Sequence, residues 1–260
     1  MMDAKKLQQM IEGKEIRLYG QPKWTFGQNT CNTYEVFPET VKQNGEWVPA
    51  APVLAEIEAD DALSLMFSKW FLKEAIVTGA KLARLSDSNV TLSVNLLPTV
   101  ADEDGFVEDL LGLLKELDFP TRKLQFELSE AQVLTELGEK NLNYLHDEHG
   151  VGLWLANFGT GFSNVDLLRN VHFDGLELDR SYAKLIPEHE QTCRLVIAIQ
   201  HFADMLGLKL CAKGIETQEQ FEFFEELDFF KGQGYLIHEP IPMPEMAEYI
   251  SKHAKHRGHA

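Results

Sequence analysis

The sequence predicts an α/β barrel. Three observations carry this expectation. A chain of 260 residues is long for two ordinary domains and suits one barrel, whose single core runs to about 250 residues. From residue 85 onward, short β-rich segments alternate with amphipathic helical patterns, as in a mostly parallel sheet with crossover helices. No Pro/Ser-rich linker, repeat or low-complexity block interrupts them, so one domain is expected over residues 1–251, with a flexible tail over 252–260.

The elements follow in chain order. Glu15 to Pro22 and Asn32 to Phe37 read as strands joined by a turn at Gly27-Gln28-Asn29, and Pro52 to Leu85 as one or two helices. Strands are then expected at Val90–Asn95, Lys123–Leu128, Gly152–Leu155, Gly175–Leu178 and Lys209–Ala212, with a last one near Tyr235–Ile237. The intervening stretches Phe106–Leu117, Glu130–His149, Glu190–Leu206 and Gln218–Leu227 carry apolar residues at three- and four-residue spacing and predict outer helices.

Hydrophobic residues make up 44% and charged residues 25% of the chain, a balance that buries a core. The net charge of −17 repels nucleic-acid backbones and anionic membrane faces, so neither a nucleic-acid polymer nor a membrane is expected as a partner. Cys31, Cys193 and Cys211 lie far apart without CxxC spacing and read as buried small residues in a reducing compartment. With no apolar leader or spanning segment, the chain is expected to be cytoplasmic.

In such a barrel the functional side chains sit where strands end. In chain order these are Glu35, Asn95, Glu127, Asn157, Glu177 with Asp179, Lys213 with Glu216, and Gln233. One strand-end carboxylate is more often a helix cap or a surface group than a ligand, but oxygen donors from many strands suit a hard cation such as Mg²⁺. His146, His149, His172, His189, His201 and His238 are scattered and read as core or surface histidines, and His253, His256 and His259 as part of the frayed tail.

Seven segments together resemble the EAL family of cyclic di-GMP phosphodiesterases. They are Gln21-Pro22, Val94-Asn95-Leu96, Leu124 to Glu130, Asn157 to Ser163, Leu178 to Tyr182, Ala212 to Thr217 and Gln233 to Leu236, in the family's order and near its spacing. The resemblance implies a modified (β/α)8 barrel in which one strand near the start runs antiparallel. It also implies two divalent ions, Mg²⁺ or Mn²⁺ in active relatives, that activate a water to open one phosphodiester of cyclic di-GMP.

Matched to that pattern, Glu35, Asn95 and Glu127 stand at metal-ligand positions, and Glu216, Gln233 and Asp179 at further ligand or structural ones. Ala156 and Asn157 fall where the family has paired aspartates, Glu177 where it has a lysine, Lys213 where it has a glutamate, and Glu39 at a phosphate-binding arginine. Glu177 and Lys213 are therefore expected to pair across the barrel mouth. The glycine-bearing loop Phe158, Gly159, Thr160, Gly161 is retained; it could cradle phosphate or simply turn the chain. In the family it couples the ion site to dimerisation.

These departures imply a degenerate phosphodiesterase that is not an enzyme and needs no cofactor. The expected role is a regulatory protein-interaction module in bacterial signalling, bound to another protein or to a second copy through surfaces flanking Phe158 to Leu168. The alternatives are a receptor that binds cyclic di-GMP without hydrolysis, opposed by Glu39, Lys213 and the net charge, and a weakly active phosphodiesterase.

Overall fold

The chain opens on helix α1 (Ala4–Glu12), whose first turn is capped by the Asp3 carboxylate accepting from the Lys6 amide. The computed structural model describes residues 2–86, 90–129, 133–160 and 165–254. Strands β1 (Ile16–Thr25) and β2 (Thr30–Gln43) form the hairpin that the turn residues predict, with Gly27 and Asn29 both at positive φ. A short β3 (Glu46–Pro49) pairs with the far end of β2 and lies outside the barrel.

Helices α2 (Ala51–Glu58) and α3 (Asp61–Ser86) then lead to β4 (Thr91–Asn95), α4 (Pro98–Ala101), α5 (Phe106–Glu116) and β5 (Leu124–Ser129). Next come α6 (Glu136–His149), β6 (Gly152–Phe158), α7 (Val165–Asn170), β7 (Gly175–Leu178), α8 (Arg180–Ala183), α9 (Glu190–Leu206) and β8 (Lys209–Lys213). The chain ends with α10 (Gln218–Glu226), β9 (Lys231–Gln233), β10 (Ile241–Pro242) and α11 (Met243–Ala254).

Eight strands close the barrel in the order β1, β2, β4, β5, β6, β7, β8, β9. β1 is antiparallel to both neighbours, and every other adjacent pair is parallel. This is the expected (β/α)8 barrel with one antiparallel strand near its start. Its inner strands read as nearly continuous buried runs because outer helices cover them. Val94, Phe126, Leu155 and Leu176 are fully shielded. No helix among the described residues is long and apolar enough to cross a membrane.

Several element boundaries correct the sequence reading: β1 runs on to Thr25, β2 covers Thr30–Gln43 rather than Asn32–Phe37, and β6 continues to Phe158. Helix α6 starts at Glu136, because the Thr135 hydroxyl accepts from the Gly138 amide and sets the first turn there; residues 130–132 lie outside the described residues. The last barrel strand is Lys231–Gln233, not Tyr235–Ile237. Gly234 brings the chain hard against Ile215, and the Leu236 amide donates to the Ile215 carbonyl, so the segment turns away and exposes Tyr235 and Leu236. Of the cysteines only Cys211 is buried; Cys31 and Cys193 are half-buried.

At Gly234 an added Cβ would stand 2.0 Å from the Ile215 carbonyl oxygen and 2.3 Å from its nitrogen, both backbone atoms that cannot swing aside. Gly234→Ala should therefore lower stability by about 1–3 kcal/mol, read as a shifted urea midpoint. An unchanged midpoint would show that the close approach is absent in solution.

Candidate functional site

The carboxyl-terminal mouth of the barrel collects side chains from seven strands. Register fixes the neighbours: Gln21 lies opposite Glu35, Asn95 beside Glu127, Glu177 beside Cys211 and Lys213 beside Gln233. Because side chains alternate along a strand, Glu127 on β5 and Glu177 on β7 turn inward from their central positions. Lys23 on β1 reaches the same space from the antiparallel strand.

The result is a cluster of two ammonium groups among three carboxylates. The Lys213 ammonium lies 2.8 Å from Glu127 Oε2, 2.8 Å from Glu177 Oε2 and 3.0 Å from Glu35 Oε2. The pairing expected between Glu177 and Lys213 is thus present, within a larger network. Lys23 donates to Glu127 Oε1 at 2.6 Å and to Glu177 Oε1, and stands 3.9 Å from Glu35 Oε2. Ser93 also donates to Glu127 Oε1, and Asn95 donates its amide to Glu35 Oε1 at 3.1 Å.

Burial opposes the charge on Lys23 and Lys213, but the facing glutamates outweigh it and hold both ammoniums above the usual lysine range. Burial likewise opposes ionisation of Glu127, yet Lys213 and Lys23 keep its carboxyl well below the usual carboxylate range. Glu177 takes the opposite path. Burial and the neighbouring Glu127 charge push it up to about 7 against the pull of the two lysines. Near neutral pH the centre therefore carries close to balanced charge.

A pair of divalent ions does not fit this centre. The oxygens of Glu35, Glu127 and Glu177 are engaged by ammonium groups. Ala156 offers a methyl group, and Asn157, held at φ 58°, offers a neutral amide. Oxygen-rich anionic coordination is what Mg²⁺ requires; here the positive charge is already supplied by the chain.

The other expected residues scatter. Gln233 is buried beside Lys213, and its Nε2 has no hydrogen-bond partner among the described residues. Asp179 caps α8 by accepting from the Ser181 amide. Glu216 is exposed, with its backbone amide donating to the Gln220 side chain, and Glu39 is exposed on β2. In the loop, Phe158 stacks on Phe202 with centroids 6.1 Å apart, and Thr160 donates to the Asn157 carbonyl. Gly159, at φ 88°, accepts from the Tyr182 hydroxyl through its carbonyl and leaves no room for a Cβ beside that ring. Gly161 lies outside the described residues.

Sequence reasoning missed Lys23. It follows Gln21-Pro22 in a strand that alternately buries Ile16, Leu18, Gly20 and Pro22, and Lys23 falls off that alternation, so strand patterning offered no signal for it. A cleft of about 500 Å³ opens beside the centre, lined by Phe37, Phe67, Phe71, Asn95, Glu127 and Ser129. The Phe67 and Phe71 rings lie nearly parallel, with centroids 6.2 Å apart.

The EAL domain profile matches residues 4–240. The cyclic di-GMP phosphodiesterase RocR of Pseudomonas aeruginosa is 25% identical over 242 residues, covering 93% of this chain and 61% of that protein. The chain therefore spans about three fifths of that relative's length. Among solved structures, the EAL enzyme Bd1971 in its cAMP- and cyclic di-GMP-bound form superposes with a TM-score of 0.85 at 23% identity, over 95% of this chain and 67% of that one. The MucR phosphodiesterase in its c-di-GMP complex gives 0.82 at 23% identity, over 93% and 98% of the two chains.

These relatives correct the expectation that the chain is not an enzyme. The relatives at this similarity are named phosphodiesterases and EAL enzymes, and the changes at Ala156 and Asn157 remove two carboxylates without showing that the chain has left that class.

Two outcomes follow from the charge network. Lys23→Met leaves Lys213 as the one ammonium facing the three carboxylates and should cost about 3–5 kcal/mol in chemical denaturation, with Lys23→Met/Glu177→Leu recovering much of it; equal losses for the single and double variants would contradict the pairing. The raised carboxyl of Glu177 means that the folded chain holds this proton more tightly than the unfolded one. Its contribution is full below the ordinary glutamate value of 4.5 and is lost as pH rises through about 7. Glu177→Gln should flatten the stability profile across that window, whereas parallel profiles for variant and parent would refute the shift.

Proposed function

As the chain belongs to the EAL domain family, we propose that it acts in cyclic di-GMP signalling and recognises the cyclic dinucleotide at the mouth of its barrel, with Lys213 supplying the fixed positive charge that meets a phosphodiester. One observation carries this reading. Lys213 is the cation of the centre that solvent can reach, with 16% of its side chain exposed against none of Lys23.

Its surroundings support it. The adjoining cleft offers Phe67 and Phe71 as apolar faces for a purine and the Asn95 amide as a donor and acceptor for a base edge. The centre's near balance of charge lowers the repulsion that a net charge of −17 would otherwise direct at a dianion. Relatives are named for the same ligand, RocR as a phosphodiesterase of cyclic di-GMP and MucR in complex with it.

A second reading, action through a bound protein, is favoured by Leu195, Met205 and Leu206, which are large apolar side chains exposed on α9. Light scattering of the concentrated chain tests the self-associating form of it: a monomeric mass at every concentration excludes the homodimer.

Calorimetric titration of cyclic di-GMP into the protein, with chelator and with excess Mg²⁺, tests the main reading. Binding should occur in both conditions, and Lys213→Met should weaken it by about tenfold or more, the equivalent of about 1.4 kcal/mol. Analysis of the same samples for linear pGpG reads turnover separately from binding. No heat in either condition, or heat only with Mg²⁺, would overturn the role given to Lys213.

A further inference from the structure

The opposite rim of the barrel carries a second polar cluster that the mouth does not use. His146 and Asp147 lie in the last turn of α6, and His172 lies between α7 and β7. The sequence reading left these histidines apart, but the fold brings them together. His146 Nδ1 lies 2.9 Å from Asp147 Oδ1, and His172 Nδ1 lies 3.0 Å from both oxygens of the same carboxylate. One ligand atom from each of the three residues falls within 4.8 Å of the others.

We propose that His146, Asp147 and His172 form a binding site for a transition-metal dication of the zinc type at the amino-terminal rim of the barrel. Two imidazoles and a carboxylate are the donor set that such ions take, with a solvent-side position left for water. Around a tetrahedral ion with bonds of about 2.1 Å, ligand atoms stand about 3.4 Å apart, so the cluster closes on an ion with small side-chain movements. The exposure of Asp147 and His172, at 45% and 57% of their side chains, gives the ion a path in.

The surrounding groups hold these ligands in the orientation a metal needs. The other ring nitrogen of His146, Nε2, faces Asp174 Oδ1 at 3.5 Å. Asp174 is itself fixed, because its Oδ2 accepts from the Leu153 amide at 2.9 Å. A carboxylate behind a ligating imidazole fixes its tautomer and raises its basicity. His172 is held through its backbone, whose amide donates to Asn143 Oδ1 at 2.9 Å, while Asn143 Nδ2 donates to the Asn170 carbonyl at 2.8 Å. A bound ion would tie the end of α6 to the segment entering β7, on the face of a barrel that serves stability.

The test uses the full chain, stripped with chelator, with His253, His256 and His259 replaced by alanine so that the terminal histidines do not compete. Zn²⁺ titration by calorimetry should give one site per chain, with affinity weaker in acid because protons compete with the metal for its ligands. His172→Ala and Asp147→Ala should each weaken binding by about tenfold or more, and Asp174→Asn by a smaller factor. Zn²⁺ should raise the midpoint of thermal unfolding in the parent and leave the His172→Ala variant unchanged. Co²⁺ in place of Zn²⁺ should give the visible absorption of a tetrahedral ion, which requires no comparison of stabilities. Absence of Zn²⁺ binding, binding that vanishes when only the terminal histidines are replaced, or binding indifferent to His172→Ala and Asp147→Ala would each overturn the assignment.

Discussion

Two lysines and three glutamates share the mouth of the barrel, and the side chains of Lys23, Glu127 and Glu177 have no contact with solvent. Removing a single charge of this kind from water costs several kcal/mol, and attraction repays it only where geometry is good and the remaining oxygens are satisfied. Glu127 and Glu35 meet both conditions. Glu127 receives Lys23, Lys213 and Ser93, and Glu35 receives Lys213 and Asn95. Glu177 meets the residual imbalance by taking up a proton more readily than an ordinary glutamate. The interior of the barrel is built to keep these groups in place, with Gln125 bridging the Ser93 hydroxyl and the Lys231 ammonium on the floor of the cluster. Lys231 sits over the Trp154 and Phe230 rings, and burial together with the charge of Lys23 draws it down to about 8.

The barrel was readable because its inner strands and outer helices have different periods. Glu190–Leu206 repeats its apolar residues as a helix does, and Gly175-Leu176-Glu177-Leu178 is too short to be one. Boundaries set by single hydrogen bonds were less readable, as at Thr135, whose hydroxyl starts α6. Tyr235–Ile237 looks like a strand by composition, yet a backbone contact between Gly234 and Ile215, nineteen residues apart in sequence, carries it out of the sheet. No local pattern records such a contact.

The site divides in the same way. Glu35, Asn95, Glu127, Glu177 and Lys213 could be placed at strand ends from the sequence, and opposite signs at two of them pointed to a pair. The third dimension adds Lys23, which enters from the antiparallel strand. Its charge finds no acidic neighbour within the hairpin strand itself, so its partners at Glu127 and Glu177, 104 and 154 residues away, are visible only in the fold. The rim cluster is a similar case: His172 and Asp147 are separated by 25 residues and meet because β6 and β7 are adjacent in the barrel.

The central claim is that lysine ammoniums, not divalent ions, balance the carboxylates at the mouth. Paramagnetic Mn²⁺ offers the direct measurement, because it broadens NMR signals of nuclei around any place where it binds. If Lys23 and Lys213 hold the centre, added Mn²⁺ will leave the Asn95 side-chain amide and the Val94 and Leu128 methyl groups no broader than those elsewhere in the core. Selective broadening centred on Asn95 and Glu127 at low Mn²⁺ concentration would mean that an ion displaces the ammoniums, and would contradict the claim.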